Sequence, residues 1–300
     1  MARSVTKQGL RKMERVGTVK EIWRYPVKSM AGERLARSSV GALGIPADRG
    51  WALRDEKAGE VRGAKKFAGL MKCAARYLEE PATDRIPPAE ITLPGGERLC
   101  TADEATTNQK LSAFLGRPVT IWPIQPVERT DFYLRAAPEG GDMMSELREI
   151  FGRLPDEPLP DLTGVPPEIM QYTSPLGTYF DVYPLHLMTT ASLDELGRRT
   201  QGSTIDVRRF RPNILIESPT GTAGFVDAEW AGRTVVIGES RIKIEMPCMR
   251  CVMPTLEQEG LPKDLRVLRT IVREADQNLG SYATVARGGE IAVGDAVWLD

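Results

Sequence analysis

The sequence predicts a mainly β protein with some α structure, an α+β chain in which a β-barrel follows an N-terminal β-rich domain. Three observations carry this. From Glu229 to Met246 the chain runs EW–AGR–TVVIG–ES–RIKIEM, short β-branched segments broken at glycine and polar turns, the pattern of a meander that closes into a barrel. Near the N-terminus, TVKEIWRYPV and DRGWALRDEKAGEVRGA are rich in β-branched and aromatic residues. Helical patterns are few and short.

Taken in order, the first fifteen residues, MARSVTKQGLRKMER, are basic and lack the apolar run of a secretory signal. We read 1–15 as a basic arm; Arg3, Lys7 and Arg11 at helical spacing leave an organelle-targeting helix as the other reading. The strand at 18–27 ends at Tyr25-Pro26, where proline holds the preceding residue extended. The next stretch gives two strands about a turn at Lys57-Ala58-Gly59. A Pro-rich loop at 81–88, a short strand and the turn at Gly95-Gly96 follow. ADEATTNQKLSAFLGRP (102–118) predicts a helix with Leu111, Phe114 and Leu115 on one side and Gly116 as its stop, and VTIWPI returns to strand. These elements form the N-terminal β-rich domain, 16–125.

Residues 126–184 are expected to be a Pro-rich connection with a short helix, and connections this long serve as lids or linkers. The barrel domain then spans 185–300. There Ser192 and Glu195 read as a capping box opening the helix SLDELGRR. RFRPNILIE is a polar-headed strand with an apolar tail. PKDLRVLRTIVREADQ (262–277) is a helix started by Pro262, with Leu265, Leu268, Ile271 and Val272 inward. GGEIAVGDAVWL closes the chain as a hairpin.

Composition removes several functional classes. Hydrophobic residues at 41% and charged residues at 27% mark a globular chain. A net charge of −1 offers no general attraction to nucleic acid or to a membrane surface, and no apolar run approaches the ~20 residues that span a bilayer. The single histidine, His186, excludes most zinc hydrolases and catalytic triads. Lying in PLHLM, it reads as a packed core residue outside the site. Four scattered cysteines suit a reducing compartment, so the cytoplasm is the expected location.

The chemistry concentrates in MPCMRCVMPT (246–255). A thioredoxin-type pair needs Cys248-x-x-Cys251 at the start of a helix, yet Pro254 follows at once. A zinc knuckle lacks two further ligands at suitable spacing. Two small buried side chains at a strand end remain one reading. A single reactive thiolate beside the Arg250 cation is the other.

The order YPVKS, DRGW, TTASL, FRPN, RCVMPT and VGD, collinear from about Val16 to Leu299, resembles the MOSC proteins. Within them it is most similar to the branch of the amidoxime-reducing component and its bacterial relatives. The resemblance implies a MOSC-type barrel binding a molybdenum–molybdopterin cofactor (Moco), with Cys251 as catalytic residue and metal ligand, and Cys248 as its neighbour. Such a centre takes soft sulfur donors, and its pterin ends in a phosphate that needs basic side chains or backbone N–H groups. The expected cofactor contacts are Lys28 and Ser29 after the Tyr-Pro turn, Arg49, Thr190 and Ser192 at a helix N-terminus, Arg211 and Asn213 about Pro212, Arg250 and Tyr282.

Two departures matter. Met249 stands where those relatives have a small polar residue, and neither iron–sulfur cysteine spacing nor a dinucleotide signature is apparent. The resemblance therefore implies an oxidoreductase for N-hydroxylated or N-oxide small molecules, supplied by a separate electron donor of ferredoxin, flavin reductase or cytochrome type. No nucleic-acid or membrane partner is expected, and no pyridoxal-phosphate domain ahead of the barrel. The alternative is a cofactor or sulfur carrier without turnover.

Overall fold

The computed structural model describes residues 13–82 and 85–300. Of the expected basic arm 1–15, residues 1–12 with Arg3, Lys7 and Arg11 lie outside the described residues, while Glu14 and Arg15 already belong to the first strand, Glu14–Arg24. In the strand Ser240–Met249, Ser240, Ile242 and Ile244 are buried while Arg241 and Lys243 face solvent. This period of two gives a strand one dry and one wet face. Seven strands close a barrel, and some of them, such as Leu185–Thr189, are buried on both faces. Around the ring lie Glu14–Arg24, Ile214–Glu217, Leu185–Thr189, Asn278–Arg287, Ser240–Met249, Thr234–Ile237 and Ala296–Leu299, which returns to Glu14–Arg24. The pair Leu185–Thr189 and Ile214–Glu217 is parallel; the other barrel pairs are antiparallel. Val19, Ile22, Leu187, Ile216, Val235 and Ile244 belong to its core.

Two three-stranded sheets stand beside it. Trp51–Asp55 pairs with Glu60–Arg62 and with Val119–Pro123, and Ala89–Thr92 lies between Ala74–Tyr77 and Arg98–Cys100. The helix Glu104–Leu115 packs with them, capped by Asp103 and ended by Gly116 at φ 64°, as its sequence predicts. Their shared core takes in Met253 and Leu256. The segment after Met249 thus passes from the barrel into this second core, and Cys251 lies on the crossing.

Sequence reading and structure part in five places. EW is a 3-10 turn, Val226–Trp230, and not a strand. Its Asp227 is fully buried and bonds Thr189, which holds the backbone in a turn. The closing segments are strands, Gly289–Ala292 and Ala296–Leu299, but they form no hairpin: the first pairs with Arg37–Val40, the second with Thr234–Ile237 and Glu14–Arg24. The helix Thr190–Arg199 begins earlier than expected, with Thr189 accepting the Ser192 N–H as cap. Glu195 is taken by Arg198 and Arg199. The last helix is Leu265–Glu274, capped by Asp264 instead of started by Pro262. The connection carries three helical pieces, Thr130–Tyr133, Met143–Phe151 and Glu168–Gln171.

Candidate active site

Two irregularities near the end of the strand Ser240–Met249 set the site. Its register against Asn278–Arg287 slips between Ile244 and Met246 and again between Pro247 and Met249. Bulges of this kind re-aim side chains at a barrel rim. The strict alternation ends there, Cys248 turns inward with 2% exposure, and Cys251 stands half-buried beyond the strand end.

Cys251 lies where two hollows meet. One is a cavity of about 550 Å³ with a largely apolar wall; the other is a polar cleft of about 80 Å³. Lys28, Ser29, Asp181, Met249, Cys251, Met253 and Tyr282 border both. Arg49, Arg211, Asn213, Arg250 and His186 border the cleft alone. The structure therefore brings together Cys251, Lys28, Ser29, Arg49, Arg211, Asn213, Arg250 and Tyr282. It does not bring Thr190 and Ser192 to either hollow. Ser192 is fully buried, the Thr190 hydroxyl accepts the Ser218 N–H, and the Asp227 carboxylate already binds the Thr189 N–H and hydroxyl. That helix end holds its own anion.

The cleft is built around Tyr25 and Asp48, which the sequence reading did not select. The guanidinium groups of Arg211 and Arg49 lie 4.2 and 4.6 Å from the Tyr25 ring centroid, a cation–π arrangement that orients both. The fully buried Asp48 accepts from the Tyr25 N–H at 2.8 Å, pairs with Arg49, and accepts the Asn213 amide at 2.8 Å. Asn213 Oδ1 also accepts the His186 N–H. Asn213 is thus a brace between the barrel and the cleft. Ser29, Arg49 and Arg211 all have positive φ, at 70°, 54° and 58°. Such strain in non-glycine residues collects where function over-determines the backbone. Ser29 is fixed there by accepting the Ala64 N–H at 2.9 Å.

At the shared floor, Lys28 donates to the Asp181 carboxylate and the Tyr179 carbonyl, both at 2.7 Å, and Lys65 meets Asp181 at 3.2 Å. Burial lowers the Lys28 pKa against the pull of Asp181. Burial also opposes the Asp181 charge, but the two lysines outweigh it and hold the carboxyl well below its usual range. Lys65 and Asp181 went unselected because their meeting depends on chain segments far apart in sequence. Arg250 differs from expectation as well. Its Nη1 donates to the Cys248 sulfur at 2.9 Å and its Nη2 to the Phe210 carbonyl at 3.0 Å. Side chains two apart on extended chain share a face, so Arg250 serves Cys248 more directly than Cys251. Burial pushes the Cys248 thiol up, with Arg250 opposing. Cys248 is held as a neutral thiol, which leaves Cys251 as the sulfur open to a ligand.

The donor set can be tested against a sulfur-rich metal group ending in phosphate. Among the described residues no cluster of three or more His, Cys, Asp or Glu could hold a metal, so a metal at Cys251 would need non-protein donors. Arg211 Nη2 is buried without a partner among the described residues, and burial lowers the Arg211 pKa to about 10. Four arginines border the cleft; Asp48 pairs with Arg49 and Arg209 donates to the carbonyls of Thr204, Pro254 and Pro262, so only one of the four charges meets a carboxylate and positive charge is left for an anion. The cleft has room for a phosphate-sized group, and the body of a larger molecule would extend past Cys251 into the cavity. The residues fit.

Comparison with known proteins finds two family models that together match most of the chain. The MOSC domain matches residues 177–298 and the MOSC N-terminal beta barrel domain matches 16–114. The chain is 30% identical to mitochondrial amidoxime-reducing component 1 of Xenopus laevis, over 95% of this chain and 83% of that protein. With the mouse protein of that name it shares 25%, over 96% and 84%. Human molybdenum cofactor sulfurase is 24% identical over 88% of this chain but only 29% of its own length.

Proposed function

The chain belongs to the MOSC family, and from that premise we propose that it is a molybdenum-cofactor-dependent oxidoreductase that reduces N-hydroxylated or N-oxide compounds. The observation that carries the reading is the place of Cys251, one accessible thiol where an arginine-lined cleft opens into an apolar cavity. Relatives that match nearly this whole chain are named for amidoxime reduction, which supports the substrate class.

Cys251 Sγ would be the protein ligand of the metal, and Arg211 with Arg49 would hold the phosphate end. When bound, the group supplies a metal that exchanges two electrons with an N–O bond. The remaining work falls to the chain. Reduction of N–OH to N–H with release of water consumes two electrons and two protons. Lys28 Nζ and Lys65 Nζ border the cavity as ammonium donors, and the lowered pKa of Lys28 eases its proton release. Asp181 fixes both lysines in place. Burial raises the Tyr282 pKa well above its usual value, so its hydroxyl stays protonated beside them. Electrons would arrive from a separate protein of ferredoxin, flavin reductase or cytochrome type. The cytoplasm is the compartment we propose, in keeping with four free thiols. Among the described residues no helix is long and apolar enough to cross a membrane.

Cys251→Ser tests the assignment. We expect the purified variant to lose amidoxime reduction by a reduced dye, with less bound molybdenum by mass spectrometry and an unchanged far-UV circular dichroism spectrum. Full turnover by the variant overturns the proposal. Wild-type protein that binds molybdenum without turnover is instead a cofactor carrier.

A further inference from the structure

The large cavity has a roof that belongs to no hydrophobic core. The helix Met143–Phe151 buries none of its residues, and neither does Glu168–Gln171. Yet Leu147, Ile150, Phe151, Leu162, Val165 and Ile169 all line the cavity, and none of them joins the four core clusters among the described residues. An amphipathic helix ordinarily spends its apolar stripe on the body of the protein. Here that stripe is spent on an empty space.

The roof is nonetheless tied down. Lys66 bridges Glu146 at 3.2 Å and Glu149 at 2.9 Å, and the Val252 N–H donates to the Ile150 carbonyl at 3.0 Å. Arg135 Nη2 donates to the carbonyls of Ile169 and Tyr172 at 3.0 and 3.1 Å. Most charged side chains around the cavity already have partners. Lys28 and Lys65 face Asp181, Lys66 faces its two glutamates, Arg62 pairs with Glu60, and Arg135 is spent on carbonyls. The roof residues Leu147, Ile150, Val165 and Ile169 carry no charge, so a charged body laid against them would lose hydration against hydrocarbon.

We propose that the roof is the specificity element of this site, and that Leu147, Ile150, Val165 and Ile169 select substrates whose N–OH group is carried on a bulky, uncharged, apolar body. The inference rests on the reductase reading for the reacting group, but its apolar half stands on the roof alone. Small polar N-hydroxylated compounds reach Cys251 without covering this surface and gain nothing from it. Burying a ring against four side chains is worth at least tenfold in discrimination, on the scale of about 10–200-fold per methylene in apolar pockets.

The test compares a naphthyl amidoxime with acetamidoxime in the cofactor-loaded enzyme, and follows binding of the neutral fluorophore N-phenyl-1-naphthylamine separately. We expect the naphthyl compound to have a kcat/KM at least about tenfold higher. In Leu147→Gln/Ile169→Gln the preference should fall at least about fivefold through KM, with acetamidoxime turnover unchanged and fluorophore binding weakened. Both positions are half-exposed and outside the cores, so the fold should survive, as circular dichroism would report. Equal rates for the two amidoximes, or an unaltered preference in the variant, overturn the inference. If neither compound is reduced while the fluorophore binds and the variant weakens it, the reductase reading fails and the apolar-ligand site stands.

Discussion

At the scale of single residues, the cleft depends on close approach. Gly280 sits at φ 78° in the strand Asn278–Arg287, against the ring of His186. A Cβ there would stand 2.2 Å from His186 Nε2 and 2.8 Å from the Leu187 carbonyl. Both the left-handed backbone and the contact oppose any side chain. Strain of this kind costs about 1–3 kcal/mol before the clash is counted. Gly280→Ala should therefore lower the urea midpoint by at least that equivalent, and it should reduce molybdenum content by displacing the ring that borders the cleft. A variant as stable as wild type would mean the backbone here is freer than its geometry indicates. Asn213 makes the companion point. Its amide is spent on the Trp23 carbonyl and Asp48, and its oxygen on the His186 N–H, so it places cleft residues and has little left for a ligand.

At the scale of elements, the helix Thr190–Arg199 shows how a start signal can be right in kind and displaced in position. Thr189, fully buried, caps it through the Ser192 N–H and is itself anchored by Asp227. Thr189→Val keeps the shape and removes the cap, at a cost of about 0.5–2 kcal/mol. Because this helix end lies apart from both hollows, molybdenum content should not change. A loss of metal with intact stability would return Thr190 and Ser192 to the site. The strands were legible because alternation fixes which face is buried, as in Ser240–Met249. Partners were not legible, since the same alternation serves any neighbour: Gly289–Ala292 reaches back to Arg37–Val40, and only folding shows it. The candidate site divides the same way. Residues inside local motifs, such as Cys251, Arg211 and Lys28, stand out in the sequence. Asp181, Lys65, Tyr25 and Asp48 gain their meaning from contacts between distant segments. The roof gave no sign of its own beyond proline density, because an apolar stripe facing a cavity has the spacing of one facing a core.

For the molecule as a whole, the lone histidine makes acid stability unusually easy to assign. His186 is 6% exposed, and burial together with Arg250 holds its pKa well below the usual 6.5. The folded state keeps the ring neutral while the unfolded chain protonates near its ordinary value. A base depressed in this way contributes stability that is complete above pH 6.5 and is lost as pH falls toward the folded value. The loss approaches about 1.4 kcal/mol per pH unit, one proton's worth. Asp181, lowered by Lys28 and Lys65 against burial, adds its own loss only below the carboxylate range near 3.8. Between pH 7.5 and 5.5 the fall in stability should therefore be carried by His186, since the upward shift of the buried Asp227 carboxyl acts in the opposite sense. Urea unfolding across that interval should show falling stability in the wild type, and His186→Leu should flatten the line whatever it does to the absolute value. A slope that persists in the variant would place the titrating group elsewhere, and a flat wild type would mean that the barrel accepts the imidazolium. The residue that looked like plain core in PLHLM is thus both packed and adjacent to the cleft. Its neutrality leaves the positive charge there to Arg49, Arg211 and Arg250, where an anion can use it.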